Sequence, residues 1–346
     1  MMEFSLCATA NIIMAMTFLI QYLPSLSSTP IGIGVNLGLN GDNLPSPGDT
    51  INLYNRCQIN FIRIFEPRHE ILDALRNKPT FVSLGVRDQD LQTLASDQSA
   101  ANQWVKDNVV PYIPDVNIGY ITLGNEVIPG PQAQYVAQAI NNINAALTNA
   151  RISKDIKVTT VISSNTLFAS YPPSAGTFNE ESASALKNIS TILSGRGSPI
   201  MVNVYPYFAY VADPEHIRSD YALFTSQGTV VTDGDYSYQN LFDAIVDSFF
   251  AAFEKIGASG INLAVAETGW PSAGNEPYTS IKNARTYNKN MMDHVLSGKG
   301  TPRRPNRTFN AFLFEMFNED QKPAGVEQNF GLFNPNMQPV YPLWPC

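Results

Sequence analysis

Histidine and cysteine are scarce in this chain of 346 residues, at three each. His69, His216 and His294 stand far apart without metal-ligand spacing, so no metal centre is expected. No Gly-rich phosphate loop and no Gly-x-Ser-x-Gly elbow occurs, which excludes the commonest nucleotide-binding and serine-hydrolase patterns. No cofactor is expected. Charge is also sparse, at 15% of residues, and acids outnumber bases 30 to 22. A net charge of −8 and a pI of about 4.9 argue against nucleic acid or an anionic membrane as partner. Long apolar runs are missing too, except one near the N-terminus.

That run, Ile12 to Ile20, is followed by Pro24 and small residues. It has the form of a secretory leader over residues 1–28, cleaved near Ser27 or Ser28, although Glu3 stands where a positive charge is usual. A membrane anchor is the rival reading, but the run is short and interrupted by Gln21 and Pro24. The mature chain, residues 29–346, is expected to be one secreted domain, monomeric and off the membrane. Loss of Cys7 with the leader would leave Cys57 and Cys346, an even pair that permits one disulfide in an oxidising compartment. Asn188-Ile189-Ser190 and Asn306-Arg307-Thr308 match the N-glycosylation pattern.

What the chain has in quantity is apolar and aromatic material: 44% hydrophobic residues, with 15 Tyr, 19 Phe and 3 Trp. That suffices for a large core and for stacking against neutral ligands. Short strand candidates recur: Ile31–Val35, Phe61–Phe65, Thr80–Gly85, Gly119–Gly124, Lys157–Ser163, Pro199–Tyr205, Leu263–Ala266 and Phe309–Phe314. Between most of them lie helical patterns, at Thr50–Cys57 (capped by Asp49 or Thr50), His69–Asn77, Ser99–Val110, Gln132–Arg151, Ser182–Leu193, Asn240–Ile256 and Ile281–Leu296. Alternation of this kind demands a parallel sheet. Eight units in roughly 300 residues fit a (β/α)₈ TIM barrel, with a doubly wound open sheet as runner-up.

In a barrel all strand C-terminal ends share one face. Asn125 and Glu126 then follow the fourth strand, Tyr205 the sixth, Glu267 the seventh and Glu319 the eighth. Glu267 ends an apolar run before Gly269-Trp270-Pro271, and taken alone it reads as a capping or salt-bridged residue. Two carboxylates at one mouth, with aromatics and almost no histidine, point instead to acid/base work on a sugar.

These segments resemble the plant endo-β-1,3-glucanases of glycoside hydrolase family 17. The likeness runs from Val35-Asn36-Leu37-Gly38 through Gly124-Asn125-Glu126-Val127, Val202–Phe208 and Glu267–Ser272 to Phe317–Lys322 and Gly325–Phe333. It implies a barrel with a retaining mechanism, Glu126 as acid/base, Glu267 as nucleophile, and carboxyl groups about 5–5.5 Å apart. Glu126 would need a pKa raised by burial and by Glu267. The resemblance assigns Asn125 to a sugar hydroxyl, and Glu319, Lys322 and Glu327 to a supporting cluster for which a rim salt-bridge network is the alternative. Tyr205, Phe208, Trp270 and Phe330 would line the groove. It also implies β-1,3-glucan of callose or fungal walls as substrate, a defence role, and the cell wall rather than the vacuole as location. Leu37 and Phe65-Glu66 depart from the Tyr and Tyr-Asp of many members, removing two phenolic hydroxyls. Competing expectations are a glucan-binding or defence-related protein with weak activity, and a glucanosyltransferase. A Cys57–Cys346 disulfide is expected at the barrel bottom.

Overall fold

The computed structural model describes residues 32–152 and 155–346. The expected leader, with Cys7 and the cleavage position, lies outside the described residues. Eight parallel strands close into a barrel in chain order. They are β1 (Ile33–Leu37), β2 (Phe61–Ile64), β3 (Phe81–Val86), β4 (Asn117–Asn125), β5 (Lys157–Ile162), β6 (Ile200–Asn203), β7 (Leu263–Thr268) and β8 (Ala311–Leu313). Each expected strand is present within a few residues of its expected place.

The helices that cover the barrel are α1 (Pro47–Arg56), α2 (His69–Ala74), α3 (Leu91–Ser96), α4 (Gln98–Asn108), α5 (Ala133–Asn149), α6 (Glu180–Arg196), α7 (Pro206–Ala212), α8 (Ser219–Ala222), α9 (Leu241–Lys255) and α10 (Ile281–Leu296). Their ends follow from cap chemistry. Ser46 accepts from the Asp49 N–H with Pro47 in the first turn, so α1 starts earlier than an Asp49 or Thr50 cap would allow. Asn179, Asn240 and Ser280 cap α6, α9 and α10 in the same way. Gly197, in the left-handed region, stops α6. The short helices α3, α7 and α8 and three two-stranded hairpins were not expected; they are too brief to carry a hydrophobic period.

Side chains alternate across the strands. Ile62, Ile64, Val82, Leu84, Ile121 and Leu123 face the helices in the main apolar cluster. Phe61, Phe81, Tyr120, Val161, Met201, Ala264, Ala266 and Phe312 form a second cluster that plugs the barrel. The plug explains the glycines in the strands. A methyl group at Gly34 would lie 2.4 Å from the Phe312 ring, and one at Gly119 would lie 1.9 Å from Phe81. Cys57, at the end of α1, is bonded to Cys346 and ties down the C-terminal tail. Closing so long a loop adds about 2–5 kcal/mol by restricting the unfolded chain.

Candidate active site

Barrel geometry sends the inward residues after the plug toward the mouth. On β2, Phe61 fills the barrel and Arg63, two residues later, stands above it. On β4 and β7 the alternation is interrupted. The β4–β5 register shifts between Thr122 and Asn125, and β7 shifts against both β6 and β8 between Val265 and Thr268. Such irregularities re-aim side chains, and Glu126 and Glu267 come at or directly after them. Glu126 holds φ at +60°, a left-handed conformation costly for a residue with a Cβ. Its N–H is bonded to Val161 O at 3.0 Å, which anchors the turn to β5.

The two carboxylates have different surroundings. Glu267 is 7% exposed. Its Oε1 accepts from the Arg63 guanidinium at 2.8 Å, and its Oε2 accepts from the Tyr205 hydroxyl at 2.9 Å. Arg63, itself 1% exposed, also donates to Asn125 Oδ1 at 2.7 Å and Asn36 Oδ1 at 3.1 Å. Asn36 in turn donates to the carbonyls of Ala266 and Leu313, pinning β1 to β7 and β8. Phe65 lies against the guanidinium, 4.4 Å from its carbon to the ring centre. Burial and the nearby Glu267 charge push the Tyr205 phenol well above its ordinary range, so it remains a donor.

Glu126 faces a different cavity, of about 420 Å³, lined by Ser163, Asn165, Asn203, Tyr205 and Phe208. Asn203 donates to its Oε1 at 2.6 Å. Glu126 is open to solvent on its cavity side, but partial desolvation by the surrounding wall raises its pKa, the Asn203 hydrogen bond opposes that, and the Glu267 charge adds to the rise. Glu267 lines an adjoining cavity of about 450 Å³, with Leu37, Phe65, Asn125, Glu319, Lys322 and Glu327. A further cavity, of about 570 Å³, lies away from both carboxylates, beside Trp344 and Cys346.

The expected site residues are thus distributed as follows. Glu126, Asn125, Tyr205, Phe208, Glu267, Glu319, Lys322 and Glu327 all line the mouth. Trp270 and Phe330 do not form its wall, because they are 0% and 1% exposed. Trp270 donates to Tyr278 O and packs on Tyr207, Tyr210 and Tyr287. Phe330 backs the wall from behind, against Tyr205, Phe208 and Phe314. The expected trio also has a different shape. Lys322 pairs with Glu319 and with Glu315, while Glu327 sits in the same cavity. Glu267 is oriented by Arg63 and Tyr205 rather than by that cluster.

Sequence reasoning missed Arg63, Asn36, Asn203 and Glu315. Arg63 had a visible signal, as the single charge inside the apolar run Phe61–Phe65. Buried charge is tolerated only when paired. Among the described residues, no group of three or more His, Cys, Asp or Glu could hold a metal ion, and no helix is long and apolar enough to cross a membrane.

Comparison with known proteins supplies context for this arrangement. The model of the glycosyl hydrolases family 17 matches residues 33–344. A probable glucan endo-1,3-beta-glucosidase of Arabidopsis thaliana, BG4, is 50% identical over 316 residues, covering 90% of both chains. A glucan endo-1,3-beta-glucosidase of Vitis vinifera is 46% identical over 92% of this chain and 94% of its own. Among solved structures, CJP38, a beta-1,3-glucanase and allergen of Cryptomeria japonica pollen, superposes with a TM-score of 0.86 at 47% identity, over 90% of this chain and 98% of that one.

Proposed function

The chain belongs to glycosyl hydrolase family 17 and is a glycoside hydrolase, and we propose that it is a retaining endo-hydrolase of β-1,3-glucans. The observation that carries the mechanism is the unequal pair at the barrel mouth. Glu267 is held by a buried guanidinium and a phenol, which each donate to one of its oxygens and fix its orientation. Glu126, although open to solvent, has its pKa raised by partial desolvation against the cavity wall, which favours its protonated form. In the first step Glu267 attacks the anomeric carbon while Glu126 gives its proton to the departing glycosidic oxygen. In the second, water attacks the same carbon, Glu126 takes its proton, and Glu267 leaves as carboxylate. Asn125 keeps its amide nitrogen as a donor for the sugar, since its oxygen is taken by Arg63.

The substrate reading rests on the relatives and on the mouth's chemistry. Tyr205 and Phe208 offer apolar faces to sugar C–H groups, and Lys322 and Glu327 offer partners to hydroxyls, with the buried Glu319 behind Lys322. Callose and fungal wall glucan share the linkage, and a substrate panel would separate them. The cavity beside Glu267 has Leu37 and Phe65 on its surface, so hydroxyls there meet carbon. The reading extends to secretion toward the cell wall, with the leader removed, because the Cys57–Cys346 bond suits an oxidising compartment. N-terminal sequencing of the extracellular protein checks it, and a mature chain starting well away from Ser28 would contradict it.

The functional test is incubation with a soluble β-1,3-glucan, followed by proton NMR of the new reducing ends. Internal cleavage with the β-anomer formed first is expected. The α-anomer first would refute retention, lengthened oligosaccharides would favour transfer to sugar, and binding without cleavage would refute the hydrolase reading.

A further inference from the structure

One buried charged cluster at the mouth takes no part in the double displacement. Glu315 and Glu319 follow β8 and are each 1% exposed. The Lys322 ammonium lies 2.5 Å from Glu315 Oε1 and 2.9 Å from Glu319 Oε2, over the Phe314 ring at 4.2 Å. Asn40 N–H donates to Glu319 Oε1 at 2.8 Å. Gly38 covers the two carboxyl groups from above. A methyl group there would meet Glu315 Oε2 at 2.5 Å and the Glu319 oxygens at 2.5 and 2.7 Å, so the two acids face each other beneath one α-carbon.

The charge count does not balance. Two buried carboxylates against one ammonium leave a net negative charge out of water, which is costly. Glu315 Oε2 also has no hydrogen-bond partner among the described residues. A proton on that oxygen removes the excess charge and turns an unsatisfied acceptor into a donor facing Glu319. Glu319 Oε2 likewise has no hydrogen-bond partner there, so one proton between the facing oxygens serves both acids; the Asn40 N–H on Glu319 Oε1 and the ammonium 2.9 Å from its Oε2 favour the negative charge on Glu319. In agreement, burial holds the Glu315 carboxyl well above the carboxylate range; Lys322 pulls it down and Glu319 pushes it up. The other titratable groups nearby are Tyr54 on α1, Tyr205 after β6, and Glu66, Glu267 and Glu327 in the same cavity.

We propose that Glu315 is a positioning residue: as a neutral acid sharing its proton with Glu319, it holds the Lys322 ammonium at the cavity wall as a donor to a sugar hydroxyl. The acids occupy no more than two of the three ammonium donors, which leaves one for the ligand. The sugar-binding half of this statement rests on the hydrolase reading; the proton does not.

The test compares Glu315→Ala with Glu315→Gln. Alanine leaves Lys322 unsupported, and KM for a β-1,3-linked oligosaccharide is expected to rise at least fivefold with a smaller change in kcat. Glutamine is neutral and keeps an N–H for Glu319, so it is expected to recover most of that loss. Glutamine losing as much as alanine would overturn the proposal, because a carboxylate ion would then be required. Difference infrared spectroscopy of Glu315→Gln against the parent, both in a Glu126→Gln background at neutral pH, reads the proton directly. Loss of a protonated-carboxyl C=O band is expected, and no such band in the parent would overturn the shared proton. Should the wild type cleave no β-1,3-glucan, the functional reading fails alone, and the infrared result still decides the proton.

Discussion

The ends of β4 and β7 carry the same residue type in two different settings. At β7, Glu267 is fastened by Arg63 and Tyr205, and its ion partner is almost fully buried. At β4, Glu126 has one amide donor, a left-handed backbone and an open cavity in front of it. A carboxylate that must attack needs its charge kept and its oxygens aimed. A carboxylic acid that must first give a proton and later take one needs its charge discouraged. On the proposed mechanism, this difference in donors is what would let one fold draw both nucleophile and acid from a single side-chain type.

Removing either carboxylate should break the comparison most severely. Glu267→Gln is expected to lower kcat on soluble β-1,3-glucan by at least roughly 10³-fold, whatever the leaving group. Glu126→Gln is expected to cost about 10²–10⁴-fold on the polymer, but much less on an aryl glycoside whose leaving group needs no proton. Equal losses on both substrates would contradict the division of labour.

Arg63→Met tests whether the ion pair belongs to Glu267 alone. Leaving Glu267 buried without its partner should destabilise the protein by about 3–5 kcal/mol at neutral pH, read by denaturant unfolding. The same change in a Glu267→Gln background should cost clearly less, and in a Glu126→Gln background about as much. Equal costs in all three backgrounds would mean that Arg63 supports the fold without regard to the nucleophile.

Smaller effects should follow from the single hydrogen bonds. Tyr205→Phe removes one donor to an ionised group, and roughly a tenfold loss in kcat/KM is expected. Asn203→Ala removes the bond that favours the ionised form of Glu126, so its pKa rises further. Activity needs the protonated acid and is lost as pH rises through that pKa, so the alkaline limb of the kcat/KM profile should move to higher pH. A shift to lower pH would contradict the assignment.

The barrel was legible because the strands are short apolar runs separated by helical periods. Even Gly32 and Gly34 have a cause in the Phe61 and Phe312 rings packed against them. The carboxylates were legible because each stands at the end of such a run. The partners were not. Arg63 meets Glu267, and Asn36 the Ala266 carbonyl beside it, only through barrel closure, across more than 200 residues of chain. Aromatics were the weakest ground, because a groove wall and the layer behind it have the same composition. Trp270 and Phe330 proved to be that layer, and Phe208 the wall.

The most direct measurement is trapping of the glycosyl-enzyme with a 2-deoxy-2-fluoro-β-glucosyl fluoride carrying a β-1,3-linked extension, followed by peptide mass spectrometry. The account predicts one adduct, on the peptide containing Glu267. An adduct on Glu126, or steady turnover with no adduct, would contradict it.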